Sequence, residues 1–354
     1  MVSHRMAPRK RSLKFYLFAA LTLALAGVQC SSPQKWTRSG QVLVPQVELN
    51  EELTQVTQVG DNHSPRFSPD SQKLVYTSGD RPFHSYSQIY ELNLKTQKEQ
   101  RLTFQGADNQ DPQYVRDGKW LLYSSATDET KERPLLSKDA NKDNFQGPEK
   151  YKKPMEIYLH NLEKFEVIRL TALPGFDGEA FWYDKNEGII FTRRKNNQLF
   201  LYSMNARRPK IVRPYSRIPG NSQWSSSQDV KSHVWIHWSD TYETSELKVK
   251  WPSGYVTLLP DFDRIKKDPY YDEELNVIFF SMNHPDPKKF NVFSVHMDGA
   301  CLTQWTSQGD NVEPTLSPDK THLAFSSNRS GSYQIYLKDW PKTPPCALFK
   351  KDLK

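Results

Sequence analysis

The chain has 354 residues, about two domains by length alone, although a single all-β propeller or barrel also reaches that size. Charged residues make up 25% and hydrophobic ones 36%, which excludes both a disordered chain and a polytopic membrane protein. The net charge of +7 suggests nucleic acid, but five basic groups (Arg5, Arg9, Lys10, Arg11, Lys14) and no acidic one lie in residues 1–29, and beyond them 43 basic groups face 41 acidic ones. No basic surface is left to bind nucleic acid.

Residues 1–14 are basic and polar, and Phe15 to Gly27 is a run of 13 apolar or small residues. At about 1.5 Å per residue this run is too short to span about 30 Å of hydrocarbon. A basic segment followed by a short apolar one is the pattern of a secretory signal peptide, here residues 1–29. Two cleavage readings compete. Ala24-Leu25-Ala26 fits ordinary signal peptidase, which would release a soluble protein. Cys30, followed by the polar run Ser31-Ser32-Pro33-Gln34, resembles the modified cysteine of a bacterial lipoprotein signal. Gly27 and Gln29 depart from the usual lipobox, which has Leu three residues before the cysteine and a small residue directly before it. The polar tether and the remoteness of Cys301 and Cys346 favour lipidation at Cys30, with residues 30–52 as a tether and a lipid anchor holding the protein to a membrane. Either reading places the mature chain outside the cytoplasm, in the periplasm or at the outer membrane. Disulfides are allowed there, and the sequence leaves both one Cys301–Cys346 bridge and two free thiols open.

From residue 53 the chain repeats itself. Leu53 to Ser78, Leu102 to Ser125 and Leu302 to Ser327 align directly, and Leu170 to Arg193 aligns more loosely. Behind them recur QIYELNL (Gln88–Leu94), EIYLHNL (Glu156–Leu162), QLFLYSM (Gln198–Met204) and QIYLKDW (Gln334–Trp340), alternating as half-buried strands do. Each unit reads as four strands: a Pro-x-Phe segment, an LVYTS-type segment, the QIY phrase, and a strand ending at Arg-Leu-Thr. Asp70-Ser71, Asp117-Gly118 and Asp319-Lys320 supply the first tight turns. Asp61 to Asp108 and Asp263 to Asp310 are each 47 residues, Asp108 to Asp177 is 69, and the 86 residues from Asp177 to Asp263 hold two units. The second of these is the degenerate stretch Asn221 to Pro260. Six units of four strands predict an all-β, six-bladed propeller over residues 53–345, with a tail at 346–354. Residues 53–57 match a fourth strand with no unit before it, so they are expected to complete the sixth blade.

The phrase P-x-F-S-P-D-x-x-x-L-x-Y-x-S, best kept at Pro65 to Ser78 and Pro314 to Ser327, with Q-I-Y-x-x-x-L and R-L-T behind it, resembles the WD40-like (PD40) repeat of TolB-type propellers. The resemblance covers about residues 53–340 and implies a six-bladed ring. It also implies an envelope protein as partner, the family's founding member binding a peptidoglycan-associated lipoprotein. That member carries an α/β domain ahead of its propeller. Only about 23 residues separate Cys30 from the first strand here, so no such domain is expected.

Antiparallel strands put the loops between units on the same end as the loops joining second and third strands. The first set carries Asp61 and Asn62, Asp108 and Asn109, Asp177, and Asp310 and Asn311, the candidate binding residues at a channel mouth. The second set carries the 28-residue insertion Ala126 to Lys153, which is rich in Lys, Asp and Glu and is expected to be solvated. Asp and Asn at such places often only turn the backbone. A ring of four aspartates could otherwise hold Ca2+ or meet a basic partner segment; no other cofactor is expected.

No catalytic motif stands out. Ser317-Pro318-Asp319-Lys320 matches S-x-x-K but lies in a turn, where no helix brings Lys to Ser. His233 and His237, four apart around Trp235, show no third metal ligand nearby and read as packed strand residues. The sequence therefore favours a non-catalytic binding scaffold of the cell envelope. A carbohydrate-active lyase or hydrolase with its site at the channel mouth is the alternative.

Overall fold

The computed structural model describes residues 52–128, 145–183, 187–258 and 263–341. Cys30, Cys346, the leader and the tether lie outside the described residues. A short strand, β1 (Leu53–Gln55), precedes the first blade. That blade holds β2 (Asp61–Phe67), β3 (Lys73–Gly79), β4 (Gln88–Asn93) and β5 (Glu99–Arg101). The second has β6 (Asn109–Val115), β7 (Trp120–Ser125), β8 (Glu156–Asn161) and β9 (Val167–Arg169). The third has β10 (Asp177–Tyr183), β11 (Gly188–Lys195), β12 (Gln198–Asn205) and β13 (Arg208–Pro214). The degenerate stretch forms the fourth: β14 (Asn221–Ser226), β15 (His233–Trp238), β16 (Ser245–Trp251) and β17 (Gly254–Leu258). Then come β18 (Lys266–Asp272), β19 (Val277–Met282), β20 (Asn291–His296) and β21 (Thr303–Gln304). The last blade has β22 (Asn311–Leu316), β23 (His322–Ser327) and β24 (Gln334–Asp339), with β1 as its fourth strand.

The architecture is the predicted six-bladed propeller of four-stranded antiparallel sheets. Leu53 to Gln55 pair with Lys338 to Tyr336, so the N-terminal strand closes the ring as the repeat count required. Six apolar clusters fill the six gaps between neighbouring blades among the described residues. One joins Phe67, Leu74 and Tyr76 of the first blade to Ala324, Ile335 and Leu337 of the last.

A threonine clasp recurs in the outer part of the blades. The hydroxyls of Thr57, Thr103, Thr171 and Thr306 accept the N–H of Ile335, Ile89, Ile157 and Val292, at 2.8–2.9 Å. In the phrases LTQVT and LTQWT it is therefore the second Thr, not the first, that matches Thr103. The direct alignment of Leu53 with Leu102 pairs Thr54 with Thr103 instead; spacing to the next inner strand explains the difference.

The insertion corrects another expectation. Its second part is anchored and not wholly solvated: Glu149–Lys152 form a 3-10 turn, and Phe145 and Tyr151 are buried at 2% and 0% exposure while Glu149, Lys152 and Lys153 stay exposed. Tyr151 packs edge-on to Phe176, and Phe145 edge-on to Tyr242 between β15 and β16, so this part runs from the second blade across to the fourth.

Closure through β1 carries a test. Thr57→Val keeps the shape but leaves the Ile335 N–H without its acceptor, a loss of about 1–3 kcal/mol. It should lower the melting temperature by a few degrees, and removal of residues 1–57 should lower it further. Equal melting of all three proteins in a thermal scan would show that the ring does not depend on this strand.

Candidate functional site: the channel ring

Every innermost strand carries a β-bulge at the same place, and one left-handed residue sits in each. Ser64, Asp111, Glu179, Gln223, Asp268 and Glu313 have φ between 50° and 60°. The pairing register shifts at each of these points. A non-glycine residue there costs about 1–3 kcal/mol unless its surroundings hold it. They do: four of these N–H groups donate to a side chain of the preceding blade. Asp111 donates to Thr77 Oγ1 (3.2 Å), Gln223 to Thr192 Oγ1 (3.1 Å), Asp268 to Gln223 Oε1 (3.0 Å) and Glu313 to Ser281 Oγ (3.0 Å). The Ser64 N–H closes the circle on Glu313 Oε2 at 2.7 Å.

The six side chains line one cavity of about 110 Å³ on the channel axis. Ser64 Oγ bridges Asp111 Oδ1 (3.0 Å) and Glu313 Oε1 (3.2 Å), and Gln223 Nε2 bridges Glu179 Oε1 and Asp268 Oδ1, both at 3.1 Å. Four carboxylates so close would repel one another, and three cations answer them. Lys150 of the insertion enters the ring and contacts Glu179, while Tyr151 Oη donates to Glu179 Oε1 at 3.0 Å. Lys267 Nζ lies 3.7 Å from Asp268 Oδ2. His63 sits between Glu313 Oε2 (3.3 Å) and Asp61 Oδ2 (3.1 Å).

The titration behaviour follows from this packing. Burial alone would push His63 down, but Glu313 and Asp61 outweigh it and raise its pKa to about 10, so it is cationic at neutral pH. Burial would likewise raise Glu313, yet His63 beside it holds that carboxyl well below the usual range. Burial would lower Lys150, and the surrounding Glu179, Asp268 and Asp111 raise it well above the ordinary value instead. Asp111 goes the other way. Burial and the neighbouring Glu179 and Glu313 push its pKa up to about 6 against the pull of Lys150.

The residues predicted from the sequence lie just outside this ring, and they do not form one group. Asp108 Oδ1 accepts the Ser87 N–H at 2.9 Å, Asp310 Oδ1 the Phe290 N–H at 2.6 Å, and Asp61 Oδ1 the Tyr333 N–H at 3.0 Å. Each aspartate thereby pins the loop between second and third strands of the preceding blade. Asn62, Asn109 and Asn311 are fully buried and donate to loop carbonyls at Val59, Ala107 and Gln308, at 2.9–3.0 Å. Asp177 is shifted by one residue relative to the other aspartates. It stands two residues before its bulge, where the asparagines stand, and is buried in a two-bonded pair with Arg193 (2.6 and 2.5 Å). Among the described residues no three His, Cys, Asp or Glu side chains are grouped to hold a metal ion, so the expected Ca2+ ring has no counterpart there. His233 stacks on Trp224 at 4.0 Å, as a packed strand residue does.

Sequence reading missed the ring itself, although a signal was present. Four of its members directly precede proline in the recurring phrase: Ser64-Pro65, Asp111-Pro112, Asp268-Pro269 and Glu313-Pro314. Lys150 carried no such signal.

With this geometry established, the chain can be set beside known proteins. No family model matches it, and no curated protein sequence does. Among solved structures it is similar to a putative TolB from Agrobacterium tumefaciens, at 14% identity and a TM-score of 0.54, over 82% of this chain and 97% of that one. It is also similar to an oligogalacturonate lyase from Vibrio parahaemolyticus, at 12% identity and a TM-score of 0.53, over 82% and 80% of the two chains. TolB from Acinetobacter baumannii aligns at 18% identity and a TM-score of 0.49, over 80% of this chain but only 57% of its own length. The shared feature is the β-propeller fold.

Asp111 gives a pH test. Its folded pKa of about 6 exceeds the ordinary 3.8, so the folded state binds more protons than the unfolded one between those values. Stability is then lost as pH rises through that window. Asp111 keeps some contact with solvent in the channel, which moderates the effect. Asp111→Asn keeps an acceptor for Ser64 Oγ and removes the charge. It should melt about 2–5 °C above the wild type at pH 7.5 and at the same temperature near pH 3.5. A gap that does not grow with pH would contradict this electrostatic account.

Proposed function

We propose that the protein is a non-catalytic, protein-binding scaffold of the bacterial cell envelope, anchored by lipid at Cys30, whose channel mouth holds a basic segment of an envelope partner. The observation that carries this reading is Lys150: an ammonium group already seated among Asp111, Glu179 and Asp268. The ring's chemistry suits the flexible, three-donor head of a lysine, and its cavity of about 110 Å³ is small beside the roughly 300–1,000 Å³ of small-molecule sites. Envelope location is supported by the leader and by Cys301, which is disulfide-bonded, as exported chains permit. The TolB-like fold fits such a role without fixing the partner, a peptidoglycan-associated lipoprotein being the candidate that the resemblance names.

If Lys150 stands in for a partner's lysine, it also competes with it, at the millimolar effective concentration of a tethered group. A fluorescent lysine-rich peptide should bind Lys150→Ala about tenfold more tightly than wild type, and Glu179→Gln more weakly than either. Binding by fluorescence anisotropy should fade as salt rises. Indifference of the peptide to both substitutions would remove the channel from the reading. For the anchor, Cys30→Ala should abolish acyl labelling and shift the protein to the soluble fraction.

A carbohydrate-active enzyme is the second reading, and one observation favours it: Asp111, with a pKa of about 6, is poised for proton transfer near neutral pH beside Lys150. Incubation with oligogalacturonate, followed by the ultraviolet absorbance of unsaturated ends and by reducing ends, separates the two. Turnover that Asp111→Asn abolishes would replace the scaffold reading.

A further inference from the structure

The fourth blade departs from the repeat in a second way, on its outer flank. Strand β15 reads H-V-W-I-H-W, and its alternation sends Val234, Ile236 and Trp238 into the apolar cluster shared with the fifth blade. His233, Trp235 and His237 therefore face the third blade. There the shared cluster is small: among the described residues Ile190, Leu201, Trp224 and Trp235 are its buried members. At this flank a cleft of about 450 Å³, within the usual range of small-molecule sites, lies between the fourth blade and the segment that leads into it from the third.

Its walls are aromatic and interlocked. Trp224 stacks with His233 (4.0 Å) and Trp235 (6.1 Å), Tyr215 meets Trp224 edge-on at 4.7 Å, and Tyr255 meets Trp235 edge-on at 5.9 Å. Tyr255 nevertheless remains 72% exposed, its ring offered to the cleft's mouth. The polar groups are held in place. Asn221 Oδ1 accepts from both Trp235 Nε1 (3.1 Å) and His237 Nδ1 (2.8 Å), and Asn221 Nδ2 donates to Ser216 Oγ at 2.9 Å. With Nδ1 donating, His237 keeps Nε2 as an acceptor. Arg217 and Lys248 add donors; Lys248 pairs with Glu246 at 2.6 Å, and among the described residues no carboxylate lines the cleft. The Trp224 indole N–H has no hydrogen-bond partner among the described residues.

We propose that this flank cleft is a saccharide-binding site for one or two pyranose rings. A pyranose presents a face of C–H groups that packs on the negative face of an aromatic ring, and a rim of hydroxyls that needs fixed donors and acceptors at its edge. The cleft supplies both on the outer flank of the fourth blade, and Trp224 is the one lining residue it shares with the channel cavity. Tryptophan emission reads it directly, because Trp224 and Trp235 form its floor. Cellobiose or digalacturonate, titrated into the full-length protein, should give a saturable change with a dissociation constant of about 0.1–5 mM. Tyr255→Ala, a change at an exposed position, should weaken it about tenfold or more, and Glu179→Gln in the channel should leave it unchanged. A response to neither disaccharide, one that survives Tyr255→Ala, one that Glu179→Gln abolishes, or a response to benzoate alone would each overturn the proposal.

Discussion

A ring of six sheets holds together only if its last sheet grips its first, and the chain ends meet that demand here. Five of the inter-blade gaps lie between blades consecutive in sequence, but the sixth must be closed across more than 270 residues. Three sets of contacts do so: the pairing of β1 with β24, the Thr57 clasp on Ile335, and the bonds of Asp61 and Asn62 to Tyr333 and Gln334. The gap itself is filled by aliphatic and aromatic side chains from both blades. Because neighbouring blades pack on each other through shared apolar clusters, unfolding any one blade exposes the apolar faces of its neighbours. The structure is thus cooperative by topology.

Closing the ring brings six equivalent positions to one axis, and with them a charge problem. Apolar side chains would fill the axis at less cost. The chain instead places four carboxylates there, on left-handed backbone, and balances them with Lys150, Lys267 and His63. Removing Glu179 or Lys150 from this set would leave its partner uncompensated, whereas Asp111, the carboxylate in excess of the three cations, is the member whose neutralisation relieves the ring. Strain and buried charge held in one place, where simpler packing was available, are what a working site looks like. The aspartates on the rim have a different task. They tie loops of adjacent blades and give the mouth its shape.

The chemistry gathers where the repeat is broken. The long insertion of the second blade delivers Lys150 and Tyr151 to the axis, and the fourth blade, furthest from the repeat consensus, carries the aromatic flank. Units that keep the consensus, around Pro65–Ser78 and Pro314–Ser327, supply closure and the rest of the ring's charge balance, through His63, Ser64 and Glu313. The tight turns at Asp70 and Asp319 show the same economy: each side chain accepts from a Ser hydroxyl two residues back, at 2.5 and 2.6 Å, and serves only its own turn.

The number of blades, the order of strands and closure by residues 53–57 were determined by sequence alone, because each depends on local alternation repeated at a readable spacing. Spacing marked Asn221 to Pro260 as a blade despite its altered wording. The residues facing the channel were decided by tertiary structure. A bulge in each inner strand shifts the side-chain phase by one, so the ring consists of Ser64, Asp111 and their equivalents and not of the neighbouring aspartates. Asp177 stands one residue closer to its bulge than the other aspartates and so falls in a buried pair with Arg193 instead of on the rim. Lys150 reached the ring through a contact between distant parts of the chain, which periodicity cannot encode. Local pattern fixes the strands; only the closed ring decides which side chains share an axis.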